Sequence, residues 1–435
     1  MPREFIVPFF AYYFTGEFFS IFLIFAYIPI LIMWHLKLDK KLVFTWRVKR
    51  FFILLISLTM FQNFLCILSE NCQMYGVLLP LLIAYIGSTL IEMYLFLVYK
   101  KEASKKLEVM SQLKIVCITG SYGKTSMKNF INQTLSQKYK THMSPRSVNT
   151  IAGLIRDINE NLEYNTKVYV CEAGARERGD ILEIAKLLNP QIVVVGKVGP
   201  QHIEYFKNME TIKRTKLELI QSNRLEIAFV HNSVTDEYHS KVKFFGDGIS
   251  NLEATLEKTE FDLSFGLNTI HVKTDVLGSF QAINLEAVAM VASTLGFQNE
   301  EIEDAMGHLK SVEHRLERID VGGKLILDDS YNGNLDGMLE GVRLCALHVN
   351  GKKVIVTPGL VEADDDLNLK LIEAINEVFD LVVVTGKLNR ELFDLNLKVP
   401  QKIIIADKEQ MKNILARSTH SGDIIYFAND APSFI

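Results

Sequence analysis

The chain changes its hydrophobic pattern near residue 100. Before it, the runs Phe18 to Leu36, Phe51 to Leu68 and Val77 to Tyr99 are apolar on every face, and each has spanning or near-spanning length. A helix in a soluble core keeps a polar stripe, so these runs predict three transmembrane helices. After residue 100, short apolar runs alternate with stretches of helical period. The runs Lys114 to Thr119, Val168 to Cys171, Ile192 to Val195 and Leu225 to Val230 read as strands of a doubly wound, mainly parallel α/β sheet. Three shorter runs, Val242 to Phe245, Phe261 to Phe265 and Thr269 to Lys273, predict a small antiparallel appendage ahead of a helix from Asn284 to Leu295. The strand rhythm then restarts at Leu325 to Asp328, Lys353 to Thr357, Leu381 to Thr385, Ile403 to Ile405 and Ile424 to Phe427. The expected division is a membrane domain at 1–104, a first soluble α/β domain at 105–318 and a second at 319–435.

Charge orients the spans. Lys37, Lys40, Lys41, Arg47, Lys49 and Arg50 crowd the first loop, and Lys100, Lys101, Lys105 and Lys106 follow the third run. The loop Ser69 to Gly76 carries Glu70 and no basic residue. Basic loops stay on the cytoplasmic side, so everything after residue 100 is expected in the cytoplasm beneath the inner membrane. No short apolar core with a small-residue cleavage site precedes the second run, which disfavours a cleaved signal peptide. Glu17 reads as a carboxylate at the outer interface or partly within the bilayer. A net charge of −4 over 435 residues, with no basic-aromatic stripe in the soluble part, argues against nucleic acid as a main partner. The five cysteines contain no Cys-x-x-Cys pair, so neither a zinc site nor a disulfide framework is indicated. Cys117 and Cys171 fall in strands and read as core.

The chemistry gathers at Ile118-Thr119-Gly120-Ser121-Tyr122-Gly123-Lys124-Thr125-Ser126. A strand that breaks on two glycines before a helix start turns backbone amides and the positive helix end toward an anion. Lys124 can reach a phosphate there and Thr125 a Mg²⁺. The loop predicts ATP use, with Gly120, Ser121, Gly123, Lys124, Thr125 and Ser126 as nucleotide contacts. Only Ser121 and Tyr122 separate Gly120 from Gly123-Lys124, fewer than in the general nucleotide loop. Further clusters each carry two readings. Glu172, at a strand end, is a metal ligand or a solvated loop acid. His202 is a ligand or an ordinary loop histidine, and Lys216 a site residue or a surface charge. His314-Arg315 supplies a cation for transferring phosphate or a linker salt bridge. The string Asp328-Asp329-Ser330-Tyr331-Asn332 offers polar groups to a ribose or base, or is plain turn chemistry.

In this order and spacing the motifs resemble those of the Mur ligase family, ATP-dependent enzymes that form amide bonds in peptidoglycan precursors. The resemblance covers about residues 112 to 430. It rests on Thr119 to Ser126, Ser147-Val148-Asn149-Thr150, Glu172-Ala173-Gly174-Ala175, Gly199-Pro200-Gln201-His202-Ile203-Glu204, Lys216-Leu217-Glu218, Asn284, His314-Arg315 and Asp328 to Asn332. It implies a P-loop central domain and a Rossmann-like C-terminal domain that close on ATP. It also implies that ATP first converts a carboxylate to an acyl phosphate, from which an amine displaces phosphate. In that scheme Lys124 holds phosphate, Thr125 and Glu172 serve one Mg²⁺ and His202 a second, and Lys216 is carbamylated. Asn284, Asp329 and Asn332 attend the adenine and ribose, and Arg315 the γ-phosphate. Glu-Ala-Gly-Ala, Asp-Asp-Ser-Tyr-Asn and Thr357-Pro358-Gly359 look most like the member that adds D-alanyl-D-alanine to UDP-N-acetylmuramoyl-tripeptide, which makes these the implied substrates.

There are departures. Three apolar runs stand where most members carry a soluble domain that grips the UDP-sugar. Gly196-Lys197 occupies the place of a frequent Asn, and Phe280-Gln281 that of His-Asn. Two rival readings follow: a membrane-bound synthase of the poly-γ-glutamate type on the same scaffold, and a membrane-anchored nucleotide-binding scaffold that recruits cell-wall synthesis proteins. Against the scaffold stands the full set Lys124, Thr125, Glu172, His202 and Lys216, which binding alone does not need.

Overall fold

The computed structural model describes residues 21, 25–26, 28–36, 43–69, 79–199, 206–235, 239–331, 333–361, 363–405 and 409–429. It divides into two compact units, Met1–Val98 and Tyr99–Ile435. In the first unit, α1 (Ile28–Leu36), α2 (Trp46–Ser69) and the start of α3 (Leu79–Val109) turn large apolar side chains such as Phe61, Ile67 and Leu97 outward. Trp46–Leu65 and α3 are long and apolar enough to cross a membrane. Arg50 of α2 pairs with Glu92 of α3 at 2.6 Å, so the one acid within that apolar stretch of α3 is matched by a base. The expected run from Phe18 to Leu36 is described at residues 21, 25–26 and 28–36 only; Glu17 and all but the first residue of the loop Ser69 to Gly76 lie outside the described residues.

The second unit is built on two six-stranded sheets and one three-stranded sheet. The first has the order β2 (Thr141–Met143), β3 (Val168–Glu172), β1 (Lys114–Thr119), β4 (Ile192–Val195), β5 (Ile227–His231) and β6 (Val242–Phe245), all parallel. Helices cover both faces of such a sheet, which is why β3 and β4 are buried at every residue and read as unbroken apolar runs. On one face α4 (Lys124–Leu135) inserts Met127, Phe130 and Ile131, spaced for one side of a helix. The register sets Cys117 opposite Cys171 and Ile118 opposite Glu172. Both thiols are fully buried, and burial pushes that of Cys171 well above its usual range.

The antiparallel appendage is not composed as expected. Val242–Phe245 is β6, the parallel edge of the first sheet, and the appendage is β7 (Ile249–Ala254), β8 (Thr259–Phe265) and β9 (Asn268–Thr274). An edge strand is half solvated, and here Val242 and Phe245 are buried while Lys243 and Phe244 between them are exposed. β7 exposes Ser250 to Glu253 in succession and shows no period. The following helix, α8 (Ser279–Thr294), starts earlier than Asn284.

The second large sheet runs β10 (Glu317–Val321), β11 (Lys324–Asp329), β15 (Ile424–Ala428), β12 (Lys353–Thr357), β13 (Leu381–Val384) and β14 (Gln401–Ile404). β10 is antiparallel to β11 and the other pairs are parallel, so this sheet is mixed. Leu327, Ile355, Val382 and Tyr426 centre its core.

The last turns of α3 belong to the second unit. Ala103, Leu107 and Met110 are buried, and Lys106 Nζ donates to Ile158 O at 2.7 Å. A chain of residues 99–435 is expected to melt cooperatively as a soluble protein. A chain of residues 112–435 is expected to lose about 3–6 kcal/mol from the missing Leu107 and Met110 burial, read as a lower thermal midpoint. Equal midpoints would show that these turns do not stabilise the unit.

Candidate active site

β1 delivers the loop of Gly120 to Gly123 to the C-terminal edge of the first sheet, where a parallel sheet leaves a crevice. Two glycines there answer to close contacts. Gly120 has φ +146°, and a Cβ on it would lie 3.2 Å from the Gly196 backbone. Gly123 has φ +76°, and a Cβ on it would meet Asn284 Oδ1 of α8 at 2.7 Å. Asn284 is held by Gln281, to whose Oε1 its amide donates at 2.7 Å. Ser121 N and Tyr122 N donate to Lys197 O at 3.0 and 3.4 Å. Lys124 opens α4 and folds over the loop, donating to Gly120 O and Ser121 O at 2.8 and 2.9 Å. Burial lowers its pKa to about 8, with Glu172 opposing and the Arg315 cation adding to the fall.

Glu172 closes β3 and is buried. Thr125 Oγ1 donates to its Oε2 at 3.3 Å. Its Oε1 lies 2.9 Å from Lys128 Nζ but off the line of a hydrogen bond, which leaves a buried acceptor oxygen unbonded. Lys128 spends its protons instead on Ser144 O, at 2.8 Å, and on Arg146 O. A hydroxyl beside a carboxylate with an orphaned oxygen is a hard-oxygen set that fits Mg²⁺, an ion that keeps several waters. Among the described residues no group of three or more His, Cys, Asp or Glu side chains forms a protein-only cage.

Lys216 sits near the end of α7 (Met209–Leu217), a helix capped by Asn208, which accepts from Thr211 N at 2.8 Å. The surface reading does not hold: the residue is 5% exposed and its amine makes no ion pair among the described residues. Burial lowers its pKa to about 7, Lys124 adds to the fall, and Asp180 and Glu218 oppose it. Glu218 is itself engaged, accepting from Gly179 N and Leu182 N at the start of α6 (Asp180–Leu188).

The second sheet faces this edge. Arg315 Nη1 donates to Tyr331 O at 2.6 Å, and the guanidinium lies over the Tyr331 ring, 4.9 Å from its centroid. Asp329 ends β11, and burial raises its pKa to about 6 against the pull of Arg315 and the Leu316 amide. Two contacts cross the rim. Ser147 Oγ and Tyr331 OH are 3.0 Å apart, and Lys197 Nζ meets Asp336 Oδ2 at 2.6 Å.

Ser121, Gly123, Lys124, Thr125, Ser126, Glu172, Lys216, Asn284, Arg315 and Asp329 thus line one cleft of about 620 Å³, with Gly120 at the base of the loop. His202 and Asn332 lie outside the described residues. Asp180, Lys197 and Asp336 also line the cleft and were not singled out as site residues. Nor was Lys128, although a lysine beside Met127 on the apolar side of an amphipathic helix was a readable signal.

Residues 118–292 match the family described as Mur ligase middle domain. The UDP-N-acetylmuramoyl-tripeptide–D-alanyl-D-alanine ligase of Bacillus subtilis is 26% identical over 335 residues, which is 72% of each chain. That of Borreliella burgdorferi is 28% identical over 64% of this chain and 63% of its own length, so the chain spans less than two thirds of that relative. In fold, the crystal structure of MurF ligase from Thermotoga maritima in complex with ADP superposes with a TM-score of 0.67 at 24% identity, over 77% of this chain and 80% of that one.

The Lys216 amine carries a pH signature. Its folded pKa, about 7, lies below the unfolded 10.5, so the folded state resists the proton. Stability is reduced in full below pH 7 and recovers as pH rises toward 10. In CO₂-free buffer, Lys216→Met is expected to be more stable than wild type at pH 6 by roughly 2–5 kcal/mol, and no more stable at pH 10. Denaturant titrations at both pH values check this, and a pH-independent difference would refute it.

Proposed function

We infer that this chain, which carries a Mur ligase middle domain, is an ATP-dependent amide ligase that joins D-alanyl-D-alanine to UDP-N-acetylmuramoyl-tripeptide in peptidoglycan precursor synthesis. The observation that carries the reading is the convergence, in one cleft, of Lys124, the Thr125 and Glu172 oxygens, the buried amine of Lys216 and, from the opposite sheet, Arg315. A nucleotide-binding scaffold has no use for this assembly; a phosphoryl transfer followed by an acyl transfer uses each member.

In the first step an oxygen of the tripeptide's terminal carboxylate bonds to the γ-phosphorus, and the bond to ADP breaks. Lys124 and Arg315 then face the charge that spreads over the transferred group. In the second step the dipeptide's amine bonds to the acyl carbon, phosphate leaves and the nitrogen sheds a proton. Thr125 and Glu172 would hold Mg²⁺, which shields phosphate charge when bound. Lys216 is the group to be carbamylated: only a neutral amine adds CO₂, releasing a proton, and a pKa near 7 keeps much of it neutral at physiological pH. The product is a carboxylate where a cation would repel the metal. The membrane part, read as three spans, holds the cleft on the cytoplasmic side of the inner membrane, close to lipid-linked steps.

Phosphate release by the detergent-purified chain with ATP and Mg²⁺ is expected only when both substrates are present, with a product heavier by the dipeptide. Release with neither dependence would sink the assignment and favour another acid and amine. Lys124→Ala is expected to slow turnover by about 10²-fold or more. Lys216→Ala is expected to lose activity that millimolar acetate or formate partly restores; absence of rescue would make Lys216 a structural residue.

A further inference from the structure

The connector into the second sheet holds two residues in left-handed backbone, His314 at φ +61° and Leu316 at φ +51°, one on each side of Arg315. Neither is glycine, and a left-handed turn at such residues persists only where surrounding contacts over-determine it. The contacts come from the end of β11. His314 Nδ1–H donates to Asp328 Oδ2 at 2.7 Å, and the other oxygen of Asp328 accepts from Ser330 N at 3.1 Å and Ser330 Oγ at 2.5 Å. Leu316 is wholly buried, and its N–H bonds to Asp329. The remaining contacts of His314 are looser: Nε2 lies 3.6 Å from the exposed Glu313 carboxylate, and its N–H lies 3.4 Å from Glu317 Oε2.

Two successive aspartates therefore hold the residues before and after Arg315. The same turn of chain, Ser330-Tyr331, supplies the carbonyl and the ring against which the guanidinium rests. The backbone of Arg315 cannot turn elsewhere without breaking the His314–Asp328 bond or uncovering Leu316, and the Tyr331 carbonyl and ring then hold its guanidinium.

We propose that His314 and Asp328 are positioning residues for phosphoryl transfer: their bond locks the left-handed turn that presents Arg315 to the Lys124 end of the cleft, and they act on the reaction only through Arg315. The inference rests on the ligase reading. It separates these two residues from a linker salt bridge, which would stabilise the chain without touching the chemical step.

The test is a double-mutant cycle on the full chain, with ligation kcat and calorimetric ADP affinity measured for wild type, His314→Ala, Arg315→Ala and the double variant. His314→Ala is expected to lower kcat by about 10²-fold, the usual cost of a small misplacement, while ADP affinity changes by less than about threefold. The double variant is expected to be no slower than Arg315→Ala alone, because residues acting as one unit are not additive. Should His314→Ala fail to melt cooperatively, His314→Phe serves in its place: it keeps a planar ring in the turn and removes the Nδ1–H donor to Asp328. Losses that multiply in the double variant, or a kcat within about twofold of wild type in the single variant, overturn the proposal. Wild type that turns over neither substrate pair would fail the ligase reading instead, and this inference with it.

Discussion

A carboxylate buried at the end of a central strand must have a cation beside it, and the first half of the cleft is arranged around how Glu172 meets that need. Its partner Lys128 is fully buried on α4, one turn beyond Lys124, which opens that helix. Breaking such a pair from one side typically costs about 3–5 kcal/mol, because the remaining charge is stranded. Lys128 also holds the backbone of Ser144 and Arg146, and so fixes the segment that carries Ser147 and Asn149. Asn149 O in turn accepts from Gly174 N just past Glu172. The helix start, the strand end and this segment are thereby one rigid piece.

Around that piece the electrostatics are deliberately unbalanced. Lys124, Lys216 and Arg315 are all pushed down in pKa, first by burial and, for the two lysines, by a neighbouring cation. Facing sheets that gather positive groups in a partly dry space are preorganised for a polyphosphate, whose charge then meets fixed donors rather than water. Asp329 is the opposite case, a carboxyl raised toward neutrality beside a guanidinium.

The sequence was most legible where burial is complete on both sides. Strands β1, β4 and β12 have uninterrupted apolar centres, and their expected and observed bounds coincide. The sheet edges were not: β2, β7 and β10 carried no apolar run, and β6 was read into the wrong sheet because its exposed lysine imitated a hairpin. The same divide runs through the site. Gly120, Gly123, Lys124 and Thr125 announce themselves because a backbone shape and a charge are demanded together. Lys128 was hidden by the habit of placing lysines on surfaces. The meeting of Lys197 with Asp336 joins the loop after β4 to the start of the helix Leu335–Ala346, and no local pattern encodes it.

Those rim contacts differ in kind from the buried ones. Lys197 and Asp336 are half exposed, as is the Ser147–Tyr331 pair across the same gap. A solvent-facing ion pair contributes only about 0–1 kcal/mol, and salt screens it further. The first half of the cleft is held by firm buried contacts, and its rim is fastened by feeble ones. On the proposed ligase reading, with three substrates taken up and three products released in each cycle, a clasp of this sort orders the lips while costing the release step almost nothing.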